Sequence, residues 1–148
     1  MRPLACLVFA ALLGSTIACD NPAANMTTRP SPTGDAMFPI PGNVGFVSVM
    51  AEATQAVRGA KGKKHSATIV ACFYQPDGST PMEPAPTDVS VKLGVDDDAQ
   101  PIALSPSPGE SKIPSRFASP QGEYPEGPQG KISAKIKGLT AELTFSSR

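Results

Sequence analysis

The chain has 148 residues, with 13 Lys plus Arg against 13 Asp plus Glu, so its formal net charge is zero; it carries 17 Pro, 13 Gly, three Cys, one His and no Trp. That length fits one domain. Balanced charge argues against nucleic-acid binding, because phosphate recognition needs a surplus of Lys and Arg, and a single histidine excludes multi-histidine metal sites.

The first segment, residues 1–18, reads as a signal peptide. Arg2 and the amine form a short positive region, and Leu4 to Leu13 form an apolar run of signal-peptide length. The run is short of the roughly 20 apolar residues that a membrane span needs. Thr16-Ile17-Ala18-Cys19 looks like a bacterial lipobox. The resemblance implies a diacylglyceryl thioether on Cys19, cleavage before it, and acylation of the new amine. Acyl chains at roughly 0.8 kcal/mol per buried CH₂ would anchor the protein stably. Thr16 stands where such motifs usually carry Leu, so an ordinary cut after Ala18 is the alternative. Asp20 follows the cysteine, a position that directs retention in the inner membrane in some lineages. Asn25-Met26-Thr27 is a formal glycosylation sequon that would matter only in a eukaryotic source.

Cysteine arithmetic agrees with lipidation. Cleavage removes Cys6, and a thioether at Cys19 cannot pair, which leaves Cys72 alone inside Thr68-Ile69-Val70-Ala71-Cys72-Phe73-Tyr74. A lone cysteine in an apolar strand is expected as a small core residue. Without lipidation, a Cys19–Cys72 disulfide becomes possible in an oxidising compartment.

Residues 19–45 are rich in Asn, Pro, Ser, Thr and Gly and read as the lipidated N-terminus and a flexible tether. Phe38 and Ile40 are exceptions that are placed to dock onto the domain. From Phe46 the pattern turns to strands. Val47, Val49 and Ala51 alternate, although Phe46, Met50, Ala53 and Val57 also fit helical spacing. Arg58 to Lys64 is a glycine-broken basic loop, read either as a headgroup contact or as a solvated hairpin loop. Ser66 to Tyr74 suggests a central strand, and Pro76-Asp77-Gly78 supplies turn chemistry. Val89, Val91, Leu93 and Val95 share one face of the next strand, and Ile102 and Leu104 form a short one. Asp96-Asp97-Asp98 cannot converge on one calcium ion and reads as a solvated turn. Ser105 to Gly130 is a long connection pinned by Ile113, Phe117 and Tyr124, with a short strand near Arg116 to Ser119.

The C-terminus carries the strongest pattern. Ile132, Ala134 and Ile136 alternate with polar residues, as do Leu139, Ala141, Leu143 and Phe145, and Lys137-Gly138 between them is a two-residue turn. This turn pairs Ile136 with Leu139, Ala134 with Ala141 and Ile132 with Leu143, and a one-residue slip would break the agreement. About seven short strands in roughly 100 residues predict an all-β fold, a small antiparallel β-sandwich of immunoglobulin-like size over residues 46–148. A small β-barrel is the alternative.

Phe73-Tyr74-Gln75-Pro76-Asp77-Gly78, Ala85-Pro86-Thr87-Asp88-Val89, Arg116-Phe117-Ala118-Ser119-Pro120 and Gly130-Lys131-Ile132-Ser133-Ala134 are the segments on which the chain resembles small lipoproteins common in planctomycete-type bacteria. The resemblance implies an exported β domain in the cell envelope and assigns no site residues.

The expected function is that of a membrane-anchored, non-catalytic, monomeric envelope protein. Its expected partners are the membrane, through acyl chains on Cys19, and another envelope protein or polymer, in the periplasm or on the outer face. No cofactor is expected. A periplasmic metal handler is the alternative, with His65, Cys72, Met50 and Met82 as donors. His65 and Cys72, however, fall on opposite faces of one strand and about 23 Å apart by strand rise. A hydrolase would have to recruit His65, and no Gly-x-Ser-x-Gly elbow is present.

Overall fold

The computed structural model describes residues 29–30, 35–53, 64–94, 98–109, 113 and 115–147. The signal segment, Cys19, Asn25, most of the tether, loop residues 58–63, Val95, Asp96 and Asp97 lie outside the described residues. Eleven strands are found among the described residues: β1 (Arg29–Pro30), β2 (Ala36–Pro39), β3 (Phe46–Ala53), β4 (Lys64–Tyr74), β5 (Thr87–Leu93), β6 (Ile102–Ala103), β7 (Ser105–Pro106), β8 (Arg116–Ala118), β9 (Gly122–Pro125), β10 (Gln129–Ile136) and β11 (Leu139–Ser146). The excess over seven consists of two- to four-residue strands, which are too short to leave a pattern in the sequence.

The strands form two antiparallel sheets. One has the order β1-β2-β3-β4-β8-β7, with β9 also paired to β4, and the other has the order β11-β10-β5-β6. The sheets do not close into a barrel, so the molecule is a small β-sandwich. Phe46 to Ala53 is a strand and no helix, paired along its length with β4 from Phe46↔Tyr74 to Ala53↔Ala67.

The C-terminal hairpin has the register that its alternation dictates: Ile132↔Leu143, Ala134↔Ala141 and Ile136↔Leu139. Lys137 and Gly138 have φ of 50° and 84°. Both therefore occupy the left-handed region, as the hairpin turn that matches strand twist requires. The buried face of this hairpin includes Ile132, Ala134, Ile136, Leu143 and Phe145. Leu139 departs from the expectation of burial: it is 76 % exposed at the start of the edge strand β11, although Ile136 opposite it is buried.

The core lies between the sheets. Val47 and Val49 of β3 join Ile69, Ala71 and Phe73 of β4 there, against Val89 and Val91 of β5 and the hairpin face. Two edge-on aromatic pairs anchor it: Phe73–Phe117 with centroids 5.8 Å apart, and Phe38–Phe145 at 6.3 Å. The second pair joins the two sheets. The chain passes from one sheet to the other between β6 and β7, where Leu104 is buried.

The expected boundary at residue 46 moves toward the N-terminus. β2 pairs with β3 through Met37↔Ser48, Phe38↔Val47 and Pro39↔Phe46. Met37, Phe38 and Ile40 are buried, so the segment around them is sandwich and no tether. Its signal is a short apolar alternation broken by Pro39, Pro41 and Gly42.

Candidate functional site

The strand directions gather three connections at one end of the sandwich. β2 ends and β3 begins there, β4 ends and β5 begins there, and the β10–β11 hairpin turns there. Residues 40–45, 75–86 and 137–138 therefore form a loop end. Ala53 and Lys64, the ends of the β3–β4 connection, lie at the opposite end, as does Gly94 after β5.

The loop end encloses a half-open cleft of about 270 Å³, lined by Asn43, Val44, Gln75, Met82, Glu83 and Lys137 among others. Its shape follows from close backbone approaches. Gly45 has φ 152°, and a Cβ there would lie 2.1 Å from the Tyr74 carbonyl oxygen and 2.7 Å from Met82 Cε. Only glycine allows the 40–45 turn to sit this close to the end of β4. Met82 N donates to the Phe73 carbonyl at 3.0 Å, Phe73 N donates to the Ser115 carbonyl at 3.1 Å, and the Ser115 hydroxyl donates to the Met82 carbonyl. These bonds tie the 75–86 connection to the segment before β8. The Glu83–Pro84 peptide is cis.

Asp77 fixes the start of that connection. Its carboxylate accepts from Ser79 N and Thr80 N, each at 2.9 Å, and from the Thr80 hydroxyl. The Thr80 hydroxyl first, then the two amides, pull its pKa down to about 2. The cleft thus offers amides, one carboxylate and one ammonium around an apolar floor, which suits weak polar and apolar contacts.

A second cluster occupies the other face of the seven-stranded sheet. Met37, Val70, Cys72 and Tyr74 are buried there, with Phe46, Met50 and Ala118 packed against them. Burial, more than any other influence, pushes the Cys72 thiol up, and it pushes the Tyr74 phenol up to about 12, with Cys72 adding to the latter. Both groups stay neutral at ordinary pH, and a neutral buried thiol is a weak nucleophile. Arg116, opposite Cys72 in the register, donates to Glu52 at 2.7 Å and to the Ser107 carbonyl at 2.7 Å. It clamps the segment before β8 to the end of β3.

The sequence-derived donors are placed as follows. His65 and Cys72 lie on one continuous strand, β4, with His65 opposite Tyr124 and Cys72 opposite Ser48. Cys72 and Met50 share the outer cluster, whereas Met82 is in the core between the sheets. The four donors are not brought together. Among the described residues no group of three or more His, Cys, Asp and Glu could hold a metal ion. Asp98 is exposed. Ile113 and Tyr124 are half-buried and Phe117 is buried, as the reading of the long connection expected.

The loop end leaves no signal of its own in the sequence. Its turns were legible singly, at Pro76-Asp77-Gly78 and Lys137-Gly138, but their convergence depends on pairings between distant strands. No family model matches the chain, and neither a curated protein nor a solved structure matches it.

Proposed function

We propose that the protein is a membrane-anchored cell-envelope lipoprotein whose β-sandwich binds another envelope component without catalysing a reaction. The carrying observation is the segment Thr16-Ile17-Ala18-Cys19 after a short apolar run. Cys19 is the lipidation site in this reading, residues 1–18 are removed, and the chain after Cys19 leads into the sandwich. The fold supports the reading in a general way: the core between the sheets is built from apolar side chains of both sheets, and a domain of this size holds together without disulfides or metal. Cys72, the one free cysteine among the described residues, is buried. It is therefore poorly placed to pair with Cys19.

Intact-mass measurement of the mature protein tests the anchor. The expected result is loss of residues 1–18 with added diacylglyceryl mass on Cys19, and both changes vanish in Cys19→Ser. A mature mass without lipid overturns the anchor. Crosslinking with mass spectrometry on native envelopes tests the binding role, and recovery of no reproducible partner counts against it.

A further inference from the structure

Val44 and Leu139 are the two large apolar side chains that stand exposed among the described residues, at 38 % and 76 %. Single exposed apolar residues are ordinary on a protein surface. These two, however, are at the same end of the sandwich. Val44 lines the loop-end cleft together with Lys137, and Leu139 follows Lys137 by two residues across the hairpin turn.

The first described strand also points to this end. β1 is antiparallel to β2, with Arg29 opposite Met37 and Pro30 opposite Ala36. Since β2 runs toward the loop end, β1 runs away from it, and Arg29 is the residue of β1 nearer the loop end. About ten residue steps separate Cys19 from Arg29, a reach of at most about 36 Å. Arg29 is level with Met37, Ser48 and Cys72 across the sheet. The opposite end lies about 26 Å further along β4 from Cys72, which takes up most of that reach, whereas the loop end lies two residues beyond Cys72 at Tyr74. From the loop end the path is direct.

We propose that the loop end is a membrane-docking surface, with Leu139 and Val44 resting in the interfacial layer of the bilayer to which Cys19 is attached. This rests on the lipid-anchor reading above. The contact is apolar in character: Lys137 shares this end with the carboxylates of Asp77 and Glu83, so no net positive patch is available to draw anionic headgroups. Shallow burial of apolar side chains at the headgroup boundary is the relevant physics. The orientation turns the opposite end outward. There Ala53, Lys64 and Gly94 face away from the bilayer.

The protein lacks tryptophan, so a single introduced indole reports without background. The experiment uses the full lipidated chain in vesicles of zwitterionic lipid, with bromine on the upper part of the acyl chains as quencher. Two variants are compared, Leu139→Trp and Ser146→Trp. Both positions are exposed, and they lie about 23 Å apart on one strand. The expected result is a blue-shifted, quenched emission for Leu139→Trp, unchanged by added salt, and an unquenched, water-like emission for Ser146→Trp. Equal emission from the two, or stronger quenching at 146, overturns the docking orientation. Intact mass of the same samples separates the causes of failure. Lipid mass present with an unquenched indole at 139 defeats the docking alone, whereas absence of lipid mass defeats the anchor and the docking with it.

Discussion

The two sheets solve the problem of a buried face differently. In the four-stranded sheet, β10 and β11 alternate strictly, so that Ile132, Ala134 and Ile136 are buried while Lys135, Thr140, Glu142 and Thr144 are exposed. One face of this hairpin is wet. In the seven-stranded sheet, the centre of β4 is buried on both faces from Ile69 to Tyr74. Ile69, Ala71 and Phe73 meet the inter-sheet core, while Val70, Cys72 and Tyr74 meet the outer cluster. The difference teaches that a period-two pattern marks a strand covered once, and a continuous apolar run marks one covered twice.

Paired charge insertions would break the comparison most sharply. Val70→Asp puts a carboxylate into a dry cluster and is expected to cost several kcal/mol, enough to unfold a domain of ordinary stability. Thr144→Asp on the wet face, opposite Lys131, is expected to change stability by less than about 0.5 kcal/mol. Urea denaturation of the two variants makes the measurement, and equal effects would show that the outer face of the seven-stranded sheet is not dry. Next in size is the contact between the sheets. Phe145→Ala removes one ring of the Phe38–Phe145 pair and is expected to lower stability by about 3–5 kcal/mol. Loss of the β2 contact would follow, visible as faster amide exchange at Phe38.

The clamp across the outer face is smaller. Arg116→Met is expected to cost about 1.5–3 kcal/mol through lost charged hydrogen bonds to Glu52 and Ser107. The accompanying sign is faster amide exchange at Ser107 and Arg116 ahead of global unfolding. Alkaline titration sharpens the contrast further. The folded-state pKa values of Tyr74 and Cys72 are raised, and Tyr74 moves from 10.0 to about 12. The stability gained from keeping the phenol neutral is fully present below pH 10 and is lost as pH rises toward about 12. Tyr74→Phe is expected to flatten that part of the pH–stability curve, and an unchanged curve would reject the assignment. The smallest effect is at Asp77, whose pKa is held down at about 2 against an ordinary 3.8. Its contribution is present above the ordinary value and fades as pH falls toward about 2. Asp77→Asn is expected to loosen residues 76–80 in exchange measurements and leave the core intact.

Much of this architecture was legible in the chain. The hairpin register came from Ile132 to Phe145 because alternation and a two-residue turn left one consistent pairing. β3 and β4 were legible from their apolar content. β2 was obscured because Phe38, and Ile40 just after the strand, sit among prolines and a glycine, and only pairing with β3 reveals Ala36 to Pro39 as sheet. β9 was obscured because four residues around Tyr124 give too short a period to recognise. Leu139 shows the limit of alternation: it obeys the pattern and still faces water at the first position of an edge strand, while Ile136 opposite it is buried. The loop end was illegible because its parts meet only after three separate strand pairings have formed.

β11 lies at the edge of its sheet and pairs with β10 alone among the described residues. Its eight residues contain a single charge, Glu142, at mid-strand. Such an edge is a template for pairing with another chain. Glu142 opposes such pairing, since symmetric pairing of two edges about mid-strand would bring two carboxylates together. Its removal is expected to leave the fold unchanged and make the protein prone to clustering.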